Sequence, residues 1–154
     1  MQAKFKTAIL DTSCIILLNK IDELLIIKKL FETVLSSKEV AHEFKKPMPS
    51  WIKIKNPQNK NYQKLLAVEA DIGEASVVAL ALETKHSILV LDDLKARKLA
   101  GKLSLDYTGT FGLLLAAKKY RLMDAVKPFL DKINKTNFRF SKSVIEIILK
   151  EANE

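Results

Sequence analysis

Phe5-Lys6-Thr7-Ala8-Ile9-Leu10-Asp11-Thr12-Ser13 decides the fold, because an apolar run of strand length stops on an acid and turns at once into a helix-forming segment. A strand feeding directly into a helix begins an α/β pattern. In open parallel sheets, ligands bind in the crevice beyond the carboxyl ends of the strands. Asp11 stands at such an end. It could instead cap the helix that follows, yet Thr12 or Ser13 would serve there without setting a full charge beside a buried strand.

Outward from this stretch the same alternation repeats. Strands are expected at Phe5 to Leu10, Thr33 to Ser36, Ile52 to Lys55, Ser87 to Leu91 and, briefly, Leu103 to Tyr107. Helices are expected at Ile15 to Lys20, Asp22 to Phe31, Lys38 to Lys45, Asn61 to Val68, Ile72 to Thr84 and Asp93 to Lys102. Gly109 to Tyr120, Met123 to Lys132 and Ser141 to Glu151 complete a helical last third. Pro47 and Pro49 stop the third helix, since the residue before proline avoids the helical region. The fold class is α/β: a three-layer, open parallel sheet of about five strands in the order 3-2-1-4-5, flanked by helices, with a helical tail. In that order Asp11 and Asp92 end neighbouring strands at the switch point and would meet across the crevice. Residues 1–154 form one domain, with 121–154 as a helical extension packed on it.

Four acidic stations recur at strand ends or early helix turns: Asp11, Glu43, the pair Asp71 and Glu74, and the pair Asp92 and Asp93. Each has a purely structural reading. Asp71-Ile72-Gly73-Glu74 has the form of a capping box, Asp92 can cap the next helix, and Glu43 can pair with Lys45 or Lys46. Independent caps, however, have no reason to fall on elements that converge at one crevice. Hydrolysis of a phosphodiester drives an anionic nucleophile toward an anionic phosphate, so positive charge must stand where negative charge develops. Carboxylates supply it by holding Mg²⁺ or Mn²⁺, hard ions that prefer oxygen. Asp11 is then the central ligand, with Glu74 and Asp92 or Asp93 completing the shell and Glu43 holding a second ion or orienting water. Thr12, Ser13 and Thr110 are candidates for binding the substrate phosphate, with turn or cap duty as the alternative.

Composition agrees with this chemistry and narrows the rest. The chain has 154 residues, 48% of them apolar, and a formal charge of +8, which favours a polyanionic partner. Lys95 and Arg97, with Lys45, Lys46 and Lys98, lie where they can guide a nucleic-acid backbone or simply form a solvated face. No apolar stretch approaches the roughly 20 residues that span a bilayer. The N-terminal Lys4 and Lys6 are followed by no cleavage site, so secretion is not expected. One cysteine, Cys14, allows no internal disulfide and reads as a core residue in a reducing cytoplasm. His42 and His86 lack partners at zinc spacing. Gly73, Gly101, Gly109 and Gly112 form neither a dinucleotide turn nor a phosphate loop, and neither Ser13 nor Ser76 sits in a nucleophile elbow.

Taken in order, Asp11-Thr12-Ser13, Val40-Ala41-His42-Glu43, Asp71-Ile72-Gly73-Glu74-Ala75 and Leu89-Val90-Leu91-Asp92-Asp93 resemble a PIN domain. The Gly-Glu-Ala helix and the Asp-Asp-x-x-Ala-Arg segment from Asp92 to Arg97 resemble a prokaryotic branch of that family. Thr108-Gly109-Thr110-Phe111-Gly112-Leu113-Leu114 and the tail extend the likeness over nearly the whole chain. The resemblance implies a metal-dependent endoribonuclease acting on RNA, often the toxin partnered by a small protein antitoxin. By motif, Asp11, Glu43 and Glu74 match the family's first three acids, and either Asp92 or Asp93 matches the fourth. The chain departs from the commoner pattern by a glutamate at the third acid and by Asp92-Asp93-Leu94 in place of Thr-x-Asp.

Two rival readings stand beside this one. A receiver-type or haloacid-dehalogenase-like phosphoryl-transfer fold also sets aspartates at strand ends, but needs a second acid beside the first, where this chain has Thr12 and Ser13. The other rival is a PIN-shaped module that binds protein or nucleic acid without cleaving it. In the tail, Val144, Ile145, Ile147, Ile148 and Leu149 exceed one narrow apolar stripe, and a homodimer is expected from the excess.

Overall fold

The computed structural model describes residues 5–154. Met1 to Lys4, which the sequence reading includes in the domain and its basic N-terminus, lie outside the described residues. Five strands form one all-parallel sheet in the order β3-β2-β1-β4-β5: β1 Thr7–Leu10, β2 Thr33–Ser36, β3 Ile52–Ile54, β4 Ser87–Val90 and β5 Tyr107–Thr108. The expected order therefore holds. β1 is central, with Leu10 registered against Val90 of β4 and Ile9 against Leu35 of β2. Its Ala8, Ile9 and Leu10 are fully buried, as a strand covered on both faces must be.

Nine helices flank the sheet among the described residues: α1 Thr12–Lys20, α2 Leu25–Leu30, α3 Lys38–Phe44, α4 Lys60–Leu66, α5 Ile72–Leu82, α6 Leu94–Lys102, α7 Thr110–Lys119, α8 Lys127–Asn134 and α9 Lys142–Glu151. α5 is the pivot of one group, contacting β1 and β4 as well as α3 and α4. It is buried from Gly73 to Ala81, and its all-round apolar surface is what such a position demands. In a second group α7 packs on α2 and α9, and Phe111 meets Phe140 edge to face at 4.5 Å between ring centres. Leu17, Leu80, Leu89 and Leu114 are among the fully buried side chains, each stabilising the fold by roughly 1.5–3 kcal/mol.

Three expectations need correction. The fifth strand is not Leu103 to Tyr107 but Tyr107–Thr108. α6 runs on to Lys102, and the chain then reverses through Ser104 at φ 57°. The helix placed at Met123 to Lys132 starts instead at Lys127, with Pro128 in its first turn, and ends at Asn134. Proline favours that position because its missing N–H is not needed there. In α9 only Ile148 is buried, while Val144 and Ile147 are exposed. No helix among the described residues is long and apolar enough to cross a membrane.

Candidate active site

Asp11 follows β1 and is the N-cap residue of α1, but its side chain makes no capping bond. Its backbone N–H continues the ladder to Val90 O at 3.2 Å, which fixes the residue at the carboxyl edge of the two central strands. Only 6% of it is exposed. Burial pushes its pKa from 3.8 up to about 7; the Thr12 N–H opposes the rise, and the charges of Glu74, Asp71 and Glu43 add to it. Glu74 behaves alike, raised from 4.5 to about 7 by burial, with the Asp71 N–H opposing and the charges of Asp71 and Asp93 contributing. These carboxylates share one electrostatic neighbourhood.

Each arrives there for a local reason. Glu74 is the third residue of α5, in the capping box expected from the sequence: Asp71 Oδ1 accepts from Glu74 N–H at 2.9 Å and Glu74 Oε1 from Asp71 N–H at 3.2 Å. Glu43 lies near the end of α3, and its Oε2 accepts the Thr12 hydroxyl at 2.8 Å. Its other oxygen lies over the backbone of Gly73, where a Cβ would collide with the carboxylate. Glycine at the start of α5 thus admits the acid from α3. A fully buried chain of hydroxyls joins these same helices. Ser76 donates to Gly73 O at 2.6 Å, so the proton between Ser37 and Ser76, also 2.6 Å apart, comes from Ser37, whose oxygen accepts from Val40 N–H at 3.1 Å.

The acid pair after β4 divides. Asp92 turns toward α7, its two oxygens accepting from Thr110 N–H at 2.8 Å and from Thr110 Oγ1 at 2.6 Å. Asp93 caps α6, accepting from Ala96 N–H at 2.9 Å, and its charge reaches Glu74. Asp11 therefore shares its surroundings with Glu74, Asp71 and Glu43, while Asp92 sits in a separate clasp. Both Asp11 and Asp92 act on buried Cys14, raising its thiol pKa together with burial, the larger cause. Arg97 donates Nε to Leu91 O at 2.6 Å, lies 3.9 Å from Asp92 and covers the Tyr107 ring. A Cβ at Gly109 would collide with that guanidinium and come within 2.7 Å of Asp92 Oδ1. Lys95 is exposed in the first turn of α6, and Ser13 is half-buried in the first turn of α1.

Two contributors escaped the sequence reading. Asp71 is a cap, as its motif says, but its charge also bears on Asp11 and Glu74. The Ser37–Ser76 pair links residues 39 positions apart, and no local pattern announces it. Among the described residues no three His, Cys, Asp or Glu side chains stand close enough together to form a ready metal-ligand group. The donor chemistry nonetheless suits a hard cation: Asp11 and Glu74 offer carboxylate oxygens whose charge is disfavoured by burial and mutual repulsion, the state a divalent ion relieves.

A parallel sheet with carboxylates at its switch point defines an acidic-site α/β domain. A family model described as PIN domain matches residues 7–154, and the chain belongs to that family. Its fold is accordingly of the nuclease type, in a family that generally uses divalent metal. No curated protein and no solved structure matches the chain.

Proposed function

We propose that this chain is a divalent-metal-dependent endoribonuclease, the toxin of a toxin-antitoxin pair, acting in the cytoplasm. The observation that carries the reading is the electrostatic grouping of Asp11 with Glu74 and Glu43 at the carboxyl edge of β1. Membership of the PIN domain family supports a nuclease, and the formal charge of +8 supports a nucleic-acid substrate.

Asp11 and Glu74 are the residues that would hold Mg²⁺ or Mn²⁺, with Asp93 beside Glu74 as the nearer of the two acids after β4. When bound, the metal supplies positive charge against the phosphate and lowers the pKa of water. The protein's own part is orientation. Thr12 fixes the Glu43 carboxylate, which is aimed to position the attacking water and accept its proton. Thr110 holds Asp92 and so draws the loop after β4 onto α7. Lys95 and the neighbouring lysines attract the RNA backbone. Partners consistent with this role are single-stranded or structured RNA, a small protein antitoxin, and a second copy meeting through the exposed Val144 and Ile147 of α9.

Cleavage of mixed single-stranded RNAs by purified protein with Mn²⁺ or Mg²⁺, beside EDTA and Asp11→Asn controls, tests the reading. Loss of cleavage in both controls is expected. Cleavage that survives Asp11→Asn would remove the assignment. A second reading, a binding module without catalysis, draws on the occupied carboxylates of Asp92 and Asp93. Metal that raises the melting temperature with no RNA cleaved would favour it.

A further inference from the structure

Two acceptor atoms between α3 and α4 have no hydrogen-bond partner. Gln63 of α4 donates Nε2 to Glu39 Oε1 of α3 at 3.1 Å, which leaves Glu39 Oε2 and Gln63 Oε1 buried and unpaired. Unpaired buried acceptors destabilise a fold, and a pair of them calls for an explanation. The core does not supply one, since α4 has no fully buried residue.

The surroundings point to a ligand. Glu39 and Gln63 border a cavity of about 450 Å³, with Lys38, Lys60, Lys64 and Ile72 also on its walls. An adjoining cavity of about 470 Å³ shares Lys38, Glu39 and Ile72 and extends to Glu43. Glu39 stands one helical turn before Glu43 on the same side of α3. A continuous cleft thus runs from the acidic site to the unpaired acceptors, with lysines along its rim.

We propose that this cleft is a base-recognition subsite for guanine in single-stranded RNA. Among the four bases only guanine presents two adjacent N–H donors, N1–H and N2–H, on its Watson–Crick edge. Adenine and cytosine each set one amino donor beside a ring-nitrogen acceptor, and uracil sets one N–H between two carbonyls. Two adjacent acceptors therefore select guanine, and single-stranded bases are read on that edge. Ile72, 67% exposed, offers an apolar wall to the base, and Lys38, Lys60 and Lys64 offer charge to the flanking phosphates. The base reaches the acceptors as α4 yields outward, a movement that uncovers no fully buried side chain of that helix.

The RNA in this proposal rests on the ribonuclease reading, but base selection is measurable without cleavage. 5′-GMP, 5′-IMP and 5′-AMP titrated into metal-free protein, followed by NMR shifts of the Gln63 side-chain amide, test it. GMP is expected to bind about tenfold more tightly than AMP, with IMP, which lacks the 2-amino donor, between them. Gln63→Leu, on a helix with nothing buried, is expected to abolish the preference. Equal affinities, no binding by any of the three, or a GMP preference intact in Gln63→Leu would overturn the proposal. Mapping cleavage sites then separates the two readings: cleavage indifferent to guanine removes the subsite and keeps the nuclease, and guanine-selective binding without cleavage keeps the subsite and removes the nuclease.

Discussion

Thr12 Oγ1 donates to Glu43 Oε2 at 2.8 Å, a bond that ties the first turn of α1 to the last turn of α3 beside Asp11. The opposite side of the same carboxylate rests on Gly73, so Glu43 is held between a hydroxyl and a bare backbone. A methyl group at position 73 has no room unless Glu43 leaves. Gly73→Ala is therefore expected to keep the fold and to lower RNA cleavage by about 10²-fold, the loss that a misplacement of about 1 Å can bring. Circular dichroism checks the first outcome and single-turnover cleavage with Mn²⁺ the second. Full activity in Gly73→Ala would take Glu43 out of the mechanism.

The raised carboxylates of Asp11 and Glu74 set a pH dependence whose sign can be worked out. In the unfolded chain both lose their protons near their ordinary values of 3.8 and 4.5, whereas in the fold they keep them to about pH 7. Between those limits the native state binds more protons, so their contribution to stability falls as pH rises and levels off above about pH 7. Asp11→Asn removes the larger share. It is expected to stabilise the metal-free protein at pH 8 by about 1–3 kcal/mol and to flatten the decline. Urea denaturation in EDTA across this range measures both. Mg²⁺ should restore stability most strongly at the alkaline end, where both groups are charged.

Which parts of this were legible follows from how local their causes are. β1, β2 and β4 declare themselves through short apolar runs ending in polar turns, and the strand order follows from placing Asp11 and Asp92 on neighbouring strands. The fifth strand was misread because Leu103 and Leu105 look strand-like, although α6 carries through to Lys102 and its C-terminal turn uses Leu105 N–H to close on Ala100 O. Pro128 marks the true start of α8, a signal present in the sequence but outweighed by the apolar Met123 and Val126. Glu43 was legible as an acid and not as the partner of Thr12. Asp71 was legible as a cap and not as a charge on Asp11, because caps are local and charge neighbourhoods are tertiary.

Arg97 and Lys95 were read together as RNA contacts, and their surroundings now distinguish them. Arg97 spends its Nε on Leu91 O and its guanidinium on Asp92 and Tyr107, so Arg97→Ala is expected to lower stability by about 1–3 kcal/mol. Lys95 is exposed, and Lys95→Ala is expected to leave the melting temperature unchanged while reducing the salt slope of RNA binding by about one. Fluorescence anisotropy at several salt concentrations, beside thermal melts, decides between these assignments. A reduced slope in Arg97→Ala with unchanged melting would reverse them.

The Ser37–Ser76 relay carries the last prediction, because it runs between the two helices that deliver Glu43 and Glu74. Its protons have one consistent direction, from Val40 N–H through Ser37 and Ser76 to Gly73 O. Ser76→Ala cuts the chain in the middle, stranding the Ser37 hydroxyl and the Gly73 carbonyl in a site where both serines are fully buried. That should cost about 1–3 kcal/mol. Ser37→Ala removes the α3 cap as well, so it should cost more, typically by ~1 kcal/mol. Once either hydroxyl is gone, the bond between the two serines cannot be lost again. The double variant should therefore be less destabilised than the sum of the single ones, by about 0.5–3 kcal/mol, as residues within one hydrogen-bond network are. Chemical denaturation of all four proteins closes the cycle. Strict additivity would mean that the two serines act separately and that α3 and α5 are held together by apolar packing alone.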